Sequence, residues 1–252
     1  MERKTLETHR AFLKDTIRQE VDFSLTDQNR GIPAPPVEKP YDPDAQRIDL
    51  PKTGFMEVAD RTSLATAIEE RRSCRTFSDA PISLEELSFL LWATQGIRLR
   101  LDAGHALRTV PSAGCRHAFE TYLSVHRVTG LETGIYRYLP LEHQLLFAFA
   151  PKNLERNITR AALGQPFAGD AAVTFVWTVI PYRMEWRYGL AAHKVIALDA
   201  GHVCQNLYLA CEAIRAGTCA IAAYDQKGMD SLLGIDGEEE FTIYLAPVVK
   251  KP

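Results

Sequence analysis

Three arginines and a serine stand together in the segment RRSCR, residues 71–75. The segment follows a predicted helix over residues 63–70, and cations near the carboxyl end of a helix are favourable against its dipole. Three arginines within five residues exceed what helix capping requires. Because forked guanidinium donors suit phosphate and other delocalised anions, the spacing favours an anion site about as much as a helix end.

Two further segments carry small side chains next to polar ones. The first is VPSAGCRH, residues 110–117, where small side chains would let backbone N–H groups approach a ligand. A plain turn ahead of a strand explains this segment equally well. The second is TCAIAAYD, residues 218–225, which by itself indicates a buried strand end leading into a helix.

Helices must position these segments, and spacing and capping signals predict several. The predicted ranges are 1–20, 63–70, 83–95, 153–163 and 190–216, with a capping box at Ser83 and Glu86 and an αL cap at Gly217. The longest has an apolar stripe and a second face of small residues. Two such faces predict burial on more than one side, as in a helix at a subunit interface or inside a monomer.

Apolar runs predict strands between the helices, and several of the runs are continuous. The predicted ranges are 119–126, 134–138, 145–149, 172–180, 218–224 and 240–247. Continuous apolar strands are typical of a sheet that is covered on both faces. The expected fold class is therefore α+β.

The composition places limits on the class of protein. With 252 residues, 46% hydrophobic residues and a formal net charge of -3, the chain is neither disordered nor basic enough to favour nucleic acid. Six of the 14 prolines fall between residues 33 and 51. We therefore predict an N-terminal helix and proline-rich extended arm over 1–55, with a disordered tail as the alternative, and one domain over 56–252.

Several sequence signals of other protein classes are missing. There is no GxGxxG, no GxxxxGK[ST], no HExxH and no GxSxG, and no histidine–cysteine spacing suggests a metal site. The longest apolar run, residues 171–180, is half of what a membrane helix needs. Five cysteines without a CxxC pair, and a charged start without a signal peptide, favour a soluble protein of the cytoplasm.

Seven segments, taken in order, resemble those of the nitroreductase-like FMN-dependent flavoproteins, and more narrowly the branch of SagB-type dehydrogenases. The resemblance covers residues 57–250, and its segments are RRSCRTF, PISLEELSFLLWATQGI, PSAGCRHAFETYLSV, GIYRY, DAGHVCQNLYLA, IAAYDQ and LAPVVK. It implies the nitroreductase-like fold, with a central, mostly antiparallel sheet flanked by helices. It further implies non-covalent FMN and a homodimer with the long helix at its interface and each site lined by both subunits.

The resemblance also assigns the arginine segment and the loop after it. Arg71 matches the arginine that meets the FMN phosphate, Arg72 and Ser73 match positions beside the ribityl chain, and Arg75 matches a cation near the flavin N1–O2 edge. A cation at that edge stabilises the charge that reduction leaves there. The loop that the partner subunit contributes to the flavin corresponds to Pro111, Ser112, Ala113 and Cys115, with Arg116 nearby.

The remaining assignments concern the flavin ring and the chain end. Ile221, Ala222 and Ala223 match the strip under the ring, with the Ala222 N–H facing N5 and Ala223 near O4. Gln165 is similar to a residue that reads the pyrimidine edge. Lys250 and Lys251 would complete the phosphate site, although Val249 stands where the family often has glycine.

Three functions follow as hypotheses. The first is an FMN-dependent oxidoreductase that passes hydride from NAD(P)H through flavin N5 to an electron-poor acceptor, such as a nitroaromatic or a quinone, in a ping-pong order. The second is a SagB-type dehydrogenase that oxidises a peptide-derived azoline or an amine, with oxygen reoxidising the FMN. Azoline-oxidising members have a Lys-Tyr pair where this chain has Arg187 and Tyr188, and arginine stays protonated where lysine can act as a base. The third is a flavin-binding protein without enzymatic activity. The residues assigned to catalysis are Ala222, Arg75, Tyr188 and Arg187.

Overall fold

The computed structural model describes residues 3–52, 58–59, 62–76 and 78–251. Its strands are β1 (Arg47–Asp49), β2 (Ile97–Arg100), β3 (Ala106–Arg108), β4 (Phe119–Val125), β5 (Gly134–Leu139), β6 (Gln144–Phe149), β7 (Val173–Val179), β8 (Ala216–Thr218) and β9 (Phe241–Lys250). Within these residues seven strands form one sheet in the order β1-β6-β5-β4-β7-β9-β8, and every pair is antiparallel. Strands β2 and β3 form a separate hairpin.

The helices surround this sheet. They are α1 (Arg3–Ala11), α2 (Ile17–Glu20), α3 (Leu64–Glu70), α4 (Leu84–Gln95), α5 (Leu154–Ala161), α6 (Tyr182–Tyr188), α7 (Ala192–Ala213) and α8 (Gln226–Leu233). Helices α4 and α7 pack in one hydrophobic cluster with the sheet, and α5 and α8 pack in a second. The α+β class, the antiparallel sheet and its flanking helices confirm the predicted fold.

The central strands explain why continuous apolar runs predicted them. Every residue of β4 and of β7 is buried, because helices cover both faces of the sheet. Helix capping is a second signal in the sequence that the structure confirms. Ser83 and Glu86 form the predicted capping box, and Ser63 caps α3 through its side chain. Strand β9 extends three residues beyond the predicted end at 247.

Helix α7 carries the predicted apolar stripe, and all of it is buried. The stripe consists of Ile196, Ala200, Val203, Leu207, Ala210 and Ile214. On the small-residue face, Ala197 and Gly201 are exposed while Cys204 is buried. A Cβ at Gly201 would meet nothing within 4 Å, so a large part of that face is open in a single chain.

Several predictions of local structure are wrong, and two elements were not predicted. Gly217 is not an αL cap but lies in β8, and the positive φ after α7 belongs to Arg215, at 53°. The predicted strand over 218–224 ends at Thr218, because only Ile221 keeps a bridge to Leu245. The β2–β3 hairpin and α6 were not predicted. Residues 97–100 are largely exposed and lack the buried alternation that marks a strand.

The predicted continuous helix over 1–20 is also wrong. Residues 12–16 form turns between α1 and α2, because Phe12 and Leu13 are 50% and 69% exposed and gain no burial from a continuous helix. The arm is not extended from its start, because residues 23–25 form a 3-10 helix and turns follow as far as residue 31; further along, residues 47–49 add β1 to the edge of the sheet. Residues 53–57 lie outside the described residues, so the domain division at residue 55 stays a prediction.

Candidate functional site

The arginine segment lies directly beside β8. Ser73 forms a parallel bridge with Thr218, and the Cys74 N–H donates to the Thr218 carbonyl at 2.9 Å. Glycine at 217 is required by this approach, because a Cβ there would lie 2.6 Å from Cys74 Cβ. The close contact fixes the path of the segment along the sheet edge.

Tyr208 of α7 connects the arginine segment 71–75 with the strip 220–223, which follows β8. Its hydroxyl lies 3.0 Å from Ser73 Oγ and accepts a hydrogen bond from the Ala220 N–H at 2.9 Å. The Arg71 guanidinium lies 5.2 Å from the centre of the Tyr208 ring. One buried side chain therefore holds both sides of this candidate site in register.

The arginines of this segment form no ion pair with an acidic residue that the structure describes. Within residues 3–52, 58–59, 62–76 and 78–251, no carboxylate forms an ion pair with Arg71, Arg72 or Arg75. Arg72 and Arg75 are exposed, and the Arg75 guanidinium lies 5.8 Å from the centre of the Phe167 ring. Asp79, Glu155 and Asp170 line a cavity with Arg75, but because none of the three arginines is ion-paired with a described carboxylate, their N–H donors remain for an anion.

The strip after Cys219 runs past these arginines as exposed backbone. Ile221 is buried, whereas Ala222 and Ala223 are exposed. The amides of Ala222 and Ala223 donate to no other group of the described chain, and Gln165 Nε2 donates to the Ala223 carbonyl at 2.9 Å. The strip therefore presents free N–H donors without side-chain bulk.

The two terminal lysines are engaged within the chain. Lys250 Nζ donates to the Ile214 carbonyl at 2.7 Å and pairs with Glu86, and Lys251 pairs with Glu212. Two of the three N–H donors of Lys250 are thus used, which leaves one for a ligand. Val249 pairs with Gly217 in the β8–β9 ladder, so the chain end continues the sheet.

The second small-residue loop is held by a buried carboxylate on α7. Asp199 accepts from Ser112 Oγ at 2.6 Å and from the Ala113 N–H at 3.2 Å. Desolvation raises the pKa of Asp199 although these hydrogen bonds oppose the shift. Pro111 is exposed at the start of the loop, and Cys115 Sγ donates to the Ala106 carbonyl.

Residues of α6 close over the middle of this loop. Gly114 has φ 58°, and a Cβ there would lie 2.6 Å from the Tyr188 hydroxyl and 2.7 Å from Arg187 Nε. Arg116 is buried beneath, with its Nε donating to the Arg183 carbonyl and its guanidinium 4.6 Å from the Trp186 ring centre. His117 is buried as well, and burial lowers its pKa to about 3, so it is neutral.

The two groups of residues lie apart in a single chain. Asp199 and Tyr208 are nine positions apart on α7, which is about two and a half helical turns and about 13 Å along the axis. The helix therefore presents them on opposite faces. Within one chain, the segment 71–75 and the strip 221–223 meet, as do the loop 111–116 and Arg187 with Tyr188, but the first group does not meet the second.

The comparison with protein families identifies the fold and its class of chemistry. The model of the nitroreductase family matches residues 68–248, about seven tenths of the chain. The chain belongs to the nitroreductase family. As a nitroreductase-family protein it is classed as an oxidoreductase.

Relatives and solved structures agree with this membership. A protein of Methanocaldococcus jannaschii, described by its name as a nitroreductase, is 29% identical over 208 residues, which cover 82% of this chain and 98% of the relative. A nitroreductase structure from Ralstonia eutropha has 26% identity and a TM-score of 0.66 over 87% of this chain and 99% of that one. The trifolitoxin-processing protein TfxB of Rhizobium leguminosarum is 24% identical over 60% of this chain, which spans only 41% of TfxB.

Three residues of this nitroreductase-family chain were not singled out from the sequence. Tyr208 and Asp199 hold the two parts of the site, and Phe167 lies beneath Arg75. Helix α7 carries several other polar residues, so no signal in the sequence distinguished the first two. No helix within the described ranges combines the length and the apolar character that crossing a membrane takes.

Proposed function

We propose that the chain is an FMN-dependent oxidoreductase that uses NAD(P)H to reduce an electron-poor acceptor, such as a nitroaromatic or a quinone, in a ping-pong order. The observation that carries this proposal is the arginine segment 71–75, whose guanidinium groups form no ion pair with a described carboxylate and lie beside the amides of Ala222 and Ala223, which donate to no described group. The proposed catalytic domain is 56–252, preceded by the arm over 1–55.

The residues present fit a flavin mononucleotide. The arginines suit its phosphate, and the small strip 220–223 suits its flat ring. Thr218 Oγ1 is buried without a hydrogen-bond partner in the described chain, which leaves a polar atom for a ligand at this point. When bound, FMN supplies hydride exchange at its N5 atom.

Each residue then has a defined task. Arg71 and Arg72 hold the phosphate with the remaining donor of Lys250, and Ser73, fixed by Tyr208, lies beside the ribityl chain. Arg75 places a fixed cation at the N1–O2 edge, where it favours the reduced form. Ala222 would offer its N–H to N5 and Ala223 would lie near O4, while Ile221 anchors the strip by its bridge to Leu245. Gln165 keeps its amide oxygen for the pyrimidine edge, because its hydrogen bonds to the carbonyls of Ala162 and Ala223 both use Nε2.

A homodimer completes this site. The loop with Pro111, Ser112, Ala113 and Cys115 faces away from the arginine segment of its own chain, so we assign it to the flavin of the partner subunit. Arg116, buried under the loop, supports it from inside the chain. The exposed small-residue face of α7 offers the close approach that such an interface needs. The five free thiols suit the reducing cytoplasm, where we place the protein.

Flavin binding is the first test. Titration of the purified protein with FMN, followed by quenching of flavin fluorescence, is expected to saturate near one FMN per chain. Arg71→Gln is expected to weaken the affinity about tenfold or more, since a hydrogen bond to a charged group contributes about 1.5–3 kcal/mol. Arg156→Gln removes the same charge from an exposed face of α5 and serves as the matched control. Failure of the wild type to bind FMN would contradict the proposal.

A specific observation favours a second candidate, a SagB-type dehydrogenase that oxidises a peptide-derived azoline or amine. TfxB, to which the chain is similar, is named for processing trifolitoxin. Arg187 and Tyr188 lie against the loop at Gly114, where they would flank such a substrate. Rapid mixing of the FMN-loaded protein with NADH or NADPH separates the two. Fast bleaching supports the first candidate, and bleaching by the amine substrate alone supports the second.

A flavin-binding protein without enzymatic activity is the remaining alternative. The arm would then be its interaction surface, because extended proline-rich segments dock on partners. FMN binding without reduction by NADH, NADPH or an azoline peptide would favour this alternative.

A further inference from the structure

We propose that Arg187 and Tyr188, braced by Gln28 of the arm, form a subsite for an anionic oxygen group on the substrate or on the reduced nicotinamide. The inference rests on the proposed function in one respect: the substrate or the reduced nicotinamide that carries the anionic group belongs to the proposed reaction. The anion-binding property itself belongs to this part of the chain, and it is measured separately from flavin binding.

The Arg187 side chain is held in place by a neutral group. Its Nη1 donates to Gln28 Oε1 at 3.2 Å, and its guanidinium lies 5.5 Å from the centre of the Tyr188 ring. No carboxylate of the described chain forms an ion pair with Arg187. The guanidinium is therefore oriented without being neutralised, and most of its five N–H donors remain for a ligand.

The arm keeps Gln28 at this position through contacts with α6 on both sides. The Gln28 N–H donates to the Trp186 carbonyl at 2.9 Å, and Trp186 Nε1 donates to the Ile32 carbonyl at 2.9 Å. The Tyr182 hydroxyl donates to Asp27 Oδ2 at 2.7 Å. The arm thus packs along the whole of α6, and the Gln28 contact to Arg187 is one part of that packing.

Neighbouring arginines strengthen the positive potential. Arg183 is neutralised by Glu120 at 2.5 Å, but Arg116 is bound only by the carbonyls of Arg183 and Gly104. Arg116 Nη2 is buried without a partner in the described chain. Burial, followed by the charges of Arg187 and Arg183, lowers the pKa of Arg116, while the charge of Asp102 opposes the shift.

Helix capping alone does not explain this arrangement. Arg187 lies in the last turn of α6, where a cation is favourable. Its guanidinium nevertheless reaches across to the arm, and the structure gives it no hydrogen bond to the carbonyls at the end of α6. The Tyr188 hydroxyl, beside Gly114, adds a neutral donor at the same place. A carboxylate or a phosphate is the chemistry that a guanidinium and a phenol recognise together.

Calorimetric titration of the protein with excess FMN present tests the subsite, since the flavin phosphate then occupies the arginine segment 71–75. The probes are benzoate, its uncharged counterpart benzamide, and inorganic phosphate. Benzoate is expected to bind at least about tenfold more tightly than benzamide if the anion is a substrate carboxylate. Phosphate is expected to bind more tightly than benzoate if the anion belongs to the nicotinamide nucleotide.

Three variants locate the binding. Arg187→Gln is expected to weaken the preferred anion about ten- to a hundredfold, the range for a hydrogen bond to a charged group. Gln28→Glu is expected to weaken it similarly, because a carboxylate of nearly the same size would neutralise Arg187 while keeping the contact. Arg156→Gln, which removes an exposed positive charge elsewhere, is expected to leave the affinity unchanged.

The outcomes separate this inference from the proposed function. A chain that fails to bind FMN but shows an anion affinity lost in Arg187→Gln and Gln28→Glu retains the subsite and loses the proposed function. A chain that binds FMN but takes up benzoate and phosphate no better than benzamide, or equally well in Arg187→Gln, loses the subsite. An unchanged affinity in Gln28→Glu, with thermal unfolding showing a folded protein, would likewise overturn it.

Discussion

Replacing Tyr208 by phenylalanine removes one oxygen atom from the place where the two sides of the candidate site meet. The hydroxyl accepts from the Ala220 N–H at 2.9 Å and lies 3.0 Å from Ser73 Oγ. The ring, and with it the contact to Arg71 at 5.2 Å, stays in Tyr208→Phe. An intramolecular hydrogen bond contributes about 1 kcal/mol net, and a buried N–H left without a partner costs about 1–3 kcal/mol. Because Ala220 is half-buried and water can replace part of the loss, we expect about 1–2 kcal/mol less free energy of unfolding.

The flavin titration gives the second readout for this variant. We expect Tyr208→Phe to weaken FMN about tenfold, since Ser73 and the strip after β8 lose their common anchor. The matched control is Tyr136→Phe in β5, where a hydroxyl that donates to the Glu132 carbonyl at 2.8 Å is removed far from the arginine segment. Tyr136→Phe should lower stability in urea without changing FMN affinity. Equal FMN affinity in Tyr208→Phe and the wild type would refute the positioning role.

Three further predictions concern the arm and the loop. Burial raises the pKa of Glu38 from its ordinary value of 4.5 to about 7, so between these pH values the folded state holds a proton that the unfolded state has lost. The contribution of Glu38 to the free energy of unfolding is therefore fully present below pH 4.5. It falls by up to about 3 kcal/mol as the pH rises through 7. Urea unfolding across this range checks the slope, and Glu38→Gln should flatten it. Asp199→Asn weakens two charge-assisted hydrogen bonds to the loop and should cost about 1–2 kcal/mol of unfolding free energy; an unchanged urea midpoint would be a contrary result. Gly114→Ala should cost more than Gly31→Ala, because both glycines have positive φ but only Gly114 has side chains in the way of a Cβ; equal thermal shifts would contradict this.

Local signals explain most of what the sequence predicted about the fold. The capping box at Ser83 and Glu86 depends on four adjacent positions, and the buried stripe of α7 depends only on helical spacing. The continuous apolar runs of β4 and β7 reflect helices on both faces of the sheet, so no knowledge of the partner strands was needed.

The errors arise where distant contacts decide the conformation. Gly217 serves the approach of Cys74, which lies more than a hundred residues earlier, and not the end of α7. The strip after Thr218 leaves the sheet although its residues are apolar, because only Ile221 finds a strand partner. For the same reason the anchoring roles of Tyr208 and Asp199 could not be predicted from the sequence, since Tyr208 contacts Ser73 and Asp199 contacts Ser112, both far away along the chain.

The most direct test of the central claim is the flavin content of the protein at equilibrium. Absorbance of the purified, FMN-reconstituted protein after gel filtration measures FMN bound per chain and, with light scattering, the mass of the particle. We predict about one FMN per chain in a dimer, and loss of the flavin in a combined Arg71→Gln and Arg75→Gln variant. A colourless wild-type protein after reconstitution, or flavin retained in full by that variant, would contradict the assignment of the arginine segment as the FMN site.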